Sequence, residues 1–221
     1  MKNKRNRRLA LLALAATAAP ALHAAQIDVV ATQTVNTTAF GPNVDAIASN
    51  TTWTKDNVYI LTDKVFVAPG VTLTIEAGTK IYSTLDDLGT SNKDDDRFGA
   101  LVITRGARIE AAGTAQEPIL FTTTDELEAE TQTDIDGDSI VAERPTSSTY
   151  GRWGGVVVLG DAPITVGGVK DGARESRIEG FQPASSADLD IDGRADVIEY
   201  GGNNPTSDSG TLQYMIIRRI R

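Results

Sequence analysis

A short spacing recurs along this chain and limits its fold more than any other feature. It runs apolar residue, any residue, apolar residue, two spacers, glycine, two spacers, apolar residue. It is met at Val65, Val67, Gly70 and Leu73, and again at Leu73, Ile75, Gly78 and Ile81. A third copy, Leu101, Ile103, Gly106 and Ile109, lies 28 residues beyond the second, and a degenerate fourth is Val156, Val158, Gly160 and Ile164. Apolar residues at alternate positions make short strands with one buried face, and the glycine permits the positive φ of a sharp bend. No two-residue hairpin signal separates these strands. They can instead stack, each coil pairing with the next, as in a parallel β-solenoid. A β-sandwich also uses short strands and glycine-rich turns, but the repeated spacing favours the solenoid. The expected fold is therefore all-β, a parallel β-helix with acidic loop insertions.

The composition narrows the chemistry. The chain has 221 residues, no cysteine and one histidine, His23. Disulfide scaffolds, thiolate zinc sites and thiol nucleophiles are excluded. Residues 1–24 read as a secretory signal peptide. Lys2, Lys4, Arg5, Arg7 and Arg8 form a cationic start, Leu9 to Leu22 is an apolar run too short for a membrane span, and Ala24 and Ala25 offer a cleavage site. A buried amphipathic helix fits less well, because all the cations lie at one end. Removing this segment takes His23 with it, so Ser-His-Asp and Cys-His catalysis within the chain is excluded. The charge changes from −9 to −14, with 16 cations against 30 acids, which argues against nucleic acid as a partner. Export to the cell surface, the medium or the periplasm is expected, with no transmembrane segment in the mature chain.

Three segments resemble a known family. FGALVITRGARIEAAGTAQEPILFTT (Phe98 to Thr123), RWGGVVVLGDAPI (Arg152 to Ile164) and IEYGGNNPTSDSGTLQYMIIRRIR (Ile198 to Arg221) are similar in kind and order to exported bacterial right-handed parallel β-helix proteins of the pectin-lyase-like fold. The resemblance spans about Asn50 to Arg221 and implies a fold and an export route, but no catalytic residues. The expected organisation is a signal peptide at 1–24, an extended linker at 25–49 and a β-helix at 50–221. In the family, coils follow the segment like Leu212 to Arg221, so the β-helix is expected to be incomplete at its C-terminal end or covered there by a partner.

Acidic loops carry the candidate metal chemistry. In Asp188 to Glu199, acids fall at positions 1, 3, 5, 9 and 12 (Asp188, Asp190, Asp192, Asp196 and Glu199), with Gly193 at position 6. That is the ligand spacing of an EF-hand calcium loop, in which Arg194 at position 7 supplies only its backbone carbonyl. The flanks do not read as helices, and a solvated acidic turn is the alternative. A second loop, Asp125 to Glu143, holds eight acids and no Lys or Arg. Its Asp134, Asp136 and Asp138 form the first half of such a loop, but position 12 is Pro145, so a calcium site and a solvated loop are equally good readings. The run Asp94 to Asp96 reads as a plain loop. All these ligands are hard oxygens, suited to Ca²⁺ or Mg²⁺, and calcium, abundant outside the cell, is the expected ion, in a structural role.

Catalysis is not expected. Arg105, Arg108 and Lys80 could act as bases of a polysaccharide lyase, yet each lies where the repeat faces solvent. Trp53 and Trp153 could stack on a sugar, but a lone Trp is more often partial core. The expected function is a calcium-stabilised surface or adhesive module for a polysaccharide or other cell-surface component. The alternative is a carbohydrate-active β-helix enzyme, a lyase or hydrolase, inactive if the chain is a fragment.

Overall fold

The computed structural model describes residues 25–29, 34–37, 41–86, 97–131, 153–165, 168–170, 173–178 and 198–218. Along the chain, β1 (Ala25–Val29) and β2 (Thr34–Thr37) precede a first coil of β3 (Gly41–Ile47), β4 (Thr51–Trp53) and β5 (Asn57–Leu61). A second coil follows directly as β6 (Lys64–Val67), β7 (Thr72–Ile75) and β8 (Lys80–Ser83). After the short β9 (Leu85–Asp86), the third coil is β10 (Arg97–Ile103), β11 (Arg108–Ala112) and β12 (Ile119–Thr123), and it leads into helix α1 (Thr124–Thr131). The fourth coil opens with β13 (Trp153–Val158). It is interrupted by β14 (Gly168–Lys170), β15 (Ala173–Arg177) and β16 (Glu199–Gly202), and closes with β17 (Gly210–Gln213) and β18 (Met215–Ile217).

Equivalent strands of successive coils pair in parallel and build three sheets: β3-β6-β10-β13, β4-β7-β11-β17 and β5-β8-β12-β18. The fold is a parallel β-helix. The segment 25–49, read from sequence as a linker, contributes to the stack: β1 pairs in parallel with β5, and β3 pairs in parallel with β6. The signal-peptide segment 1–24 lies outside the described residues.

The repeat residues fill the interior as their alternation requires. Val65, Val67, Leu73, Ile75, Ile81, Leu101, Ile103 and Ile109 are fully buried, together with Phe121. The stacking offset differs from the 28 residues seen in the sequence. Leu101 pairs with Val65 and Ile109 with Leu73, an offset of 36. The reason is geometric: the repeats starting at Val65 and Leu73 are two successive corners of one coil, not two coils. Gly70 and Gly106 occupy equivalent corners, with φ of +78° and +75°, and the Gly70 amide donates to the Gly106 carbonyl at 2.8 Å. Between the first two coils the offset is only 22, Thr51 pairing with Leu73. Insertions on later coils stretch the period and hide it.

The stretch from Asp125, read as a loop, begins as a helix. Thr124–Thr131 carries Leu, Ala and Glu, which are good helix formers, and Asp125 and Glu126 complement the positive N-terminal end. Leu127 packs with Ile60 and Tyr82 on the outer face of the β5-β8-β12 sheet. That cover buries Tyr82 between Ile81 and Ser83, which face inward, and the burial pushes its phenol above the ordinary range.

Because Leu101 touches the stack at its centre, Leu101→Ala should cost about 3 kcal/mol through lost burial and the cavity left behind. Urea unfolding would show this as a lower midpoint with an unchanged slope.

Candidate functional site

A group of mostly buried charges lies where the fourth-coil insertion meets the third coil. Arg105 sits on the bend after β10, directly before Gly106. Strands β15 and β16 pair antiparallel, with Glu175 opposite Gly201 and Arg177 opposite Glu199. Glu175 and Glu199 are therefore diagonal neighbours on one face of this ribbon. Gly201, with φ of +89°, carries no side chain that would block the approach of Arg105. One guanidinium nitrogen donates to Glu175 Oε1 at 2.6 Å and to the Gly201 carbonyl at 3.0 Å, and the other donates to Glu199 Oε2 at 3.3 Å. The Arg105 side chain is 20% exposed and that of Glu199 almost fully buried. Arg105, expected in solvent, is thus held inside an ion cluster. Two carboxylates face one guanidinium, and Glu175 Oε2 is buried without a hydrogen-bond partner.

Further bonds seat the insertion. The Gly201 amide donates to the Gly160 carbonyl at 2.8 Å, just past β13, and the Ile178 amide to the Ile198 carbonyl at 3.0 Å. Beside the cluster, Val157, Val158, Leu159, Ile164, Ile178 and Tyr200 line an open apolar groove.

A different surface covers the outside of the β4-β7-β11-β17 sheet. Register places Thr52, Thr74, Glu110 and Thr211 in one outward row, with Thr72 and Arg108 beside it. Arg108 donates to Glu110 at 2.8 Å and pairs with Asp208 at 2.7 Å. That guanidinium, together with the Gly210 amide, holds the Asp208 carboxyl below its usual range. The row offers hydroxyls and charges at the spacing of stacked strands, about 4.8 Å.

Of the residues expected to bind calcium, Asp188, Asp190, Asp192, Arg194 and Asp196 lie outside the described residues, as do Asp134, Asp136 and Asp138. The run Asp94 to Asp96 lies outside them too. Glu199 is described, on β16 with its Oε2 facing Arg105. A two-oxygen hold on a cation at position 12 would compete with that hydrogen bond, whereas a one-oxygen contact would not. Lys80 is half exposed and 3.7 Å from Glu130. Trp53 is core, stacked on Tyr59 with ring centroids 4.9 Å apart, and Trp153 stacks on Phe121 at 5.9 Å. Glu175 was missed from sequence because it lies 70 residues from Arg105 and no local motif marks it.

Replacing Arg105 by Met should leave two mostly buried carboxylates uncompensated, at a cost of about 3 kcal/mol. Hydrogen exchange should quicken in β15 and β16 and stay slow in β6 to β8. Adding Glu175→Gln should restore part of the protection.

Comparison with known proteins supplies one match. The family model described as a pectate-lyase-like β-helix domain covers residues 45–219. Neither the curated proteins nor the solved structures gave a match to the chain.

Proposed function

Since the chain belongs to the pectate-lyase-like β-helix family, we propose that it is an exported, calcium-stabilised β-helix that binds a polysaccharide or similar cell-surface component and does no chemistry on it. The observation that carries this reading is the state of Arg105. A cation closed in by two carboxylates and a carbonyl is engaged in holding the insertion on the coil. Its role in this reading is structural. The outward row of Thr52, Thr74, Glu110 and Thr211 is the binding face: short side chains on a rigid sheet can meet ligand hydroxyls with little loss of side-chain entropy.

Calcium belongs to the reading through the Asp188 to Glu199 spacing. The ion would be held by Asp188, Asp190, Asp192, the Arg194 carbonyl, Asp196 and Glu199, and would relieve repulsion among the carboxylates. Export follows from the sequence of residues 1–24. Among the described residues no helix is long and apolar enough to cross a membrane.

Calcium should raise the melting temperature relative to chelator, and Asp192→Asn should abolish most of that rise without touching the Arg105 cluster. An equal melting temperature in calcium and chelator would remove the metal from the account. In affinity electrophoresis, a polysaccharide in the gel should retard the protein, and Thr74→Ala with Thr211→Ala should weaken the retardation severalfold. Release of reducing or unsaturated sugar ends would establish the enzyme alternative in its place.

A further inference from the structure

A guanidinium stands within the outward polar face of the β4-β7-β11-β17 sheet, and two carboxylates hold it. Register sets Arg108 opposite Thr72 and Glu110 opposite Thr74, so both project from the same side of β11. Arg108 donates to Glu110 Oε1 at 2.8 Å. Its other terminal nitrogen meets Asp208 Oδ2 at 2.7 Å and donates to the Asp208 carbonyl at 3.1 Å. Asp208 is fixed from its far side as well, since its Oδ1 accepts from the Gly210 amide at 2.9 Å. Gly210 pairs with Ile109, which lies between Arg108 and Glu110, so the clamp closes across the third and fourth coils.

Stability explains this clamp poorly. The Arg108, Glu110 and Asp208 side chains are 39%, 35% and 64% exposed, and ion pairs so open to water contribute little to folding. Their effect on the surface is larger. Two acids occupy one cation, and the face carries a guanidinium without offering it. Lys55, at the border just past β4, is engaged too, donating to Glu117 at 2.8 Å. The exposed Glu76 continues the alternation of Thr72 and Thr74 just past β7 and adds another acid. What the face presents beyond these charges is the hydroxyls of Thr52, Thr74 and Thr211 and the amide of Gln213, groups that both donate and accept.

These features separate the classes of polysaccharide. A polyuronate brings a carboxylate on every sugar. Each would have to shed water beside Glu76, Glu110 and Asp208, where Arg108 and Lys55 are already taken. The chain as a whole, at −9, repels a polyanion as well. A glycan of amino sugars would instead have to draw the acids away from Arg108. An uncharged glycan carries hydroxyls and ring oxygens, which suit side chains that both donate and accept.

We propose that Glu110 and Asp208 are specificity residues: by occupying Arg108 they make this face select an uncharged polysaccharide and reject a polyuronate. The inference rests on the reading of this face as a polysaccharide-binding surface, and it names the class of ligand taken there. The selection works by exclusion. Freed of its two partners, the same Arg108 is a planar fork that matches a uronate carboxylate. Binding of the uncharged chain is made by hydrogen bonds, so it depends little on salt.

Affinity electrophoresis tests this with dextran, galactan and β-glucan as uncharged probes and polygalacturonate as the anionic one. Each gel is run with and without added calcium, against a non-binding reference protein. The unaltered chain is expected to be retarded by at least one uncharged probe, equally at low and moderate salt, and to pass polygalacturonate with the reference. Glu110→Gln with Asp208→Asn should raise retardation by polygalacturonate severalfold, in a manner that fades as salt rises. Asp208→Asn alone, at the most exposed of the three positions, should bring part of that gain, and adding Arg108→Gln should abolish it. Circular dichroism melts would confirm that the variants fold. Retardation of the unaltered chain by polygalacturonate would overturn the inference while leaving polysaccharide binding intact, and so would variants that gain nothing. Retardation by none of the four probes would remove the reading of the face as a polysaccharide surface, and the inference with it.

Discussion

The amides and carbonyls of each short strand find most of their partners on the coil above and the coil below, and the apolar side chains of each coil are covered by the same neighbours. A strand of three to five residues cannot stand alone, so the fold depends on repetition. This accounts for the uniform burial of the second and third coils. It also accounts for the greater exposure of equivalent residues on the fourth, which among the described residues is paired with a coil on one side. Gly70 and Gly106 serve the same end: corners of equal geometry keep the strands of successive coils in register.

Insertions are what make this solenoid particular. Each leaves at a corner or strand end and must be tied back to the stack. Helix α1 is tied by Leu127 lying on Ile60 and Tyr82, an apolar contact that spreads the core to an outer face of the sheet. The ribbon of β15 and β16 is tied by Arg105 through Glu175, Glu199 and the Gly201 carbonyl. These two attachments differ in physical kind. The first survives modest changes of shape, whereas the second is strong only while all its charges are present, since removing one partner leaves the others uncompensated. The acidic stretch Asp188 to Glu199 ends inside this second attachment, which links the proposed metal loop to the stack through a single carboxylate.

Much of this was legible in the chain itself, and the limits have physical causes. Alternation around Val65, Leu73 and Leu101 marks strands with one buried face, and the glycines mark the bends, because both signals are local. The coil period was not legible: corners within one coil carry the same spacing as corners between coils, and insertions of unequal length blur the offset. The helix from Thr124 was obscured by an acid run that reads as a solvated loop until Leu127 finds a sheet to cover. The Arg105 cluster left no trace, since its members lie 70 and 94 residues apart in sequence and meet only through the fold. Strands β1 and β3 likewise show themselves only by pairing with strands that come later.

Register between coils is the claim on which everything else rests, and the absence of cysteine makes it directly measurable. Thr74 and Glu110 are register partners on the outer face of adjacent coils, within the Cα separation of about 4.4–6.8 Å that a disulfide tolerates. Chains carrying Thr74→Cys with Glu110→Cys should oxidise to an intramolecular disulfide in high yield. Thr74→Cys with Val102→Cys, the pairing implied by a 28-residue offset, should stay reduced. The reverse pattern would contradict the stacking described for this β-helix.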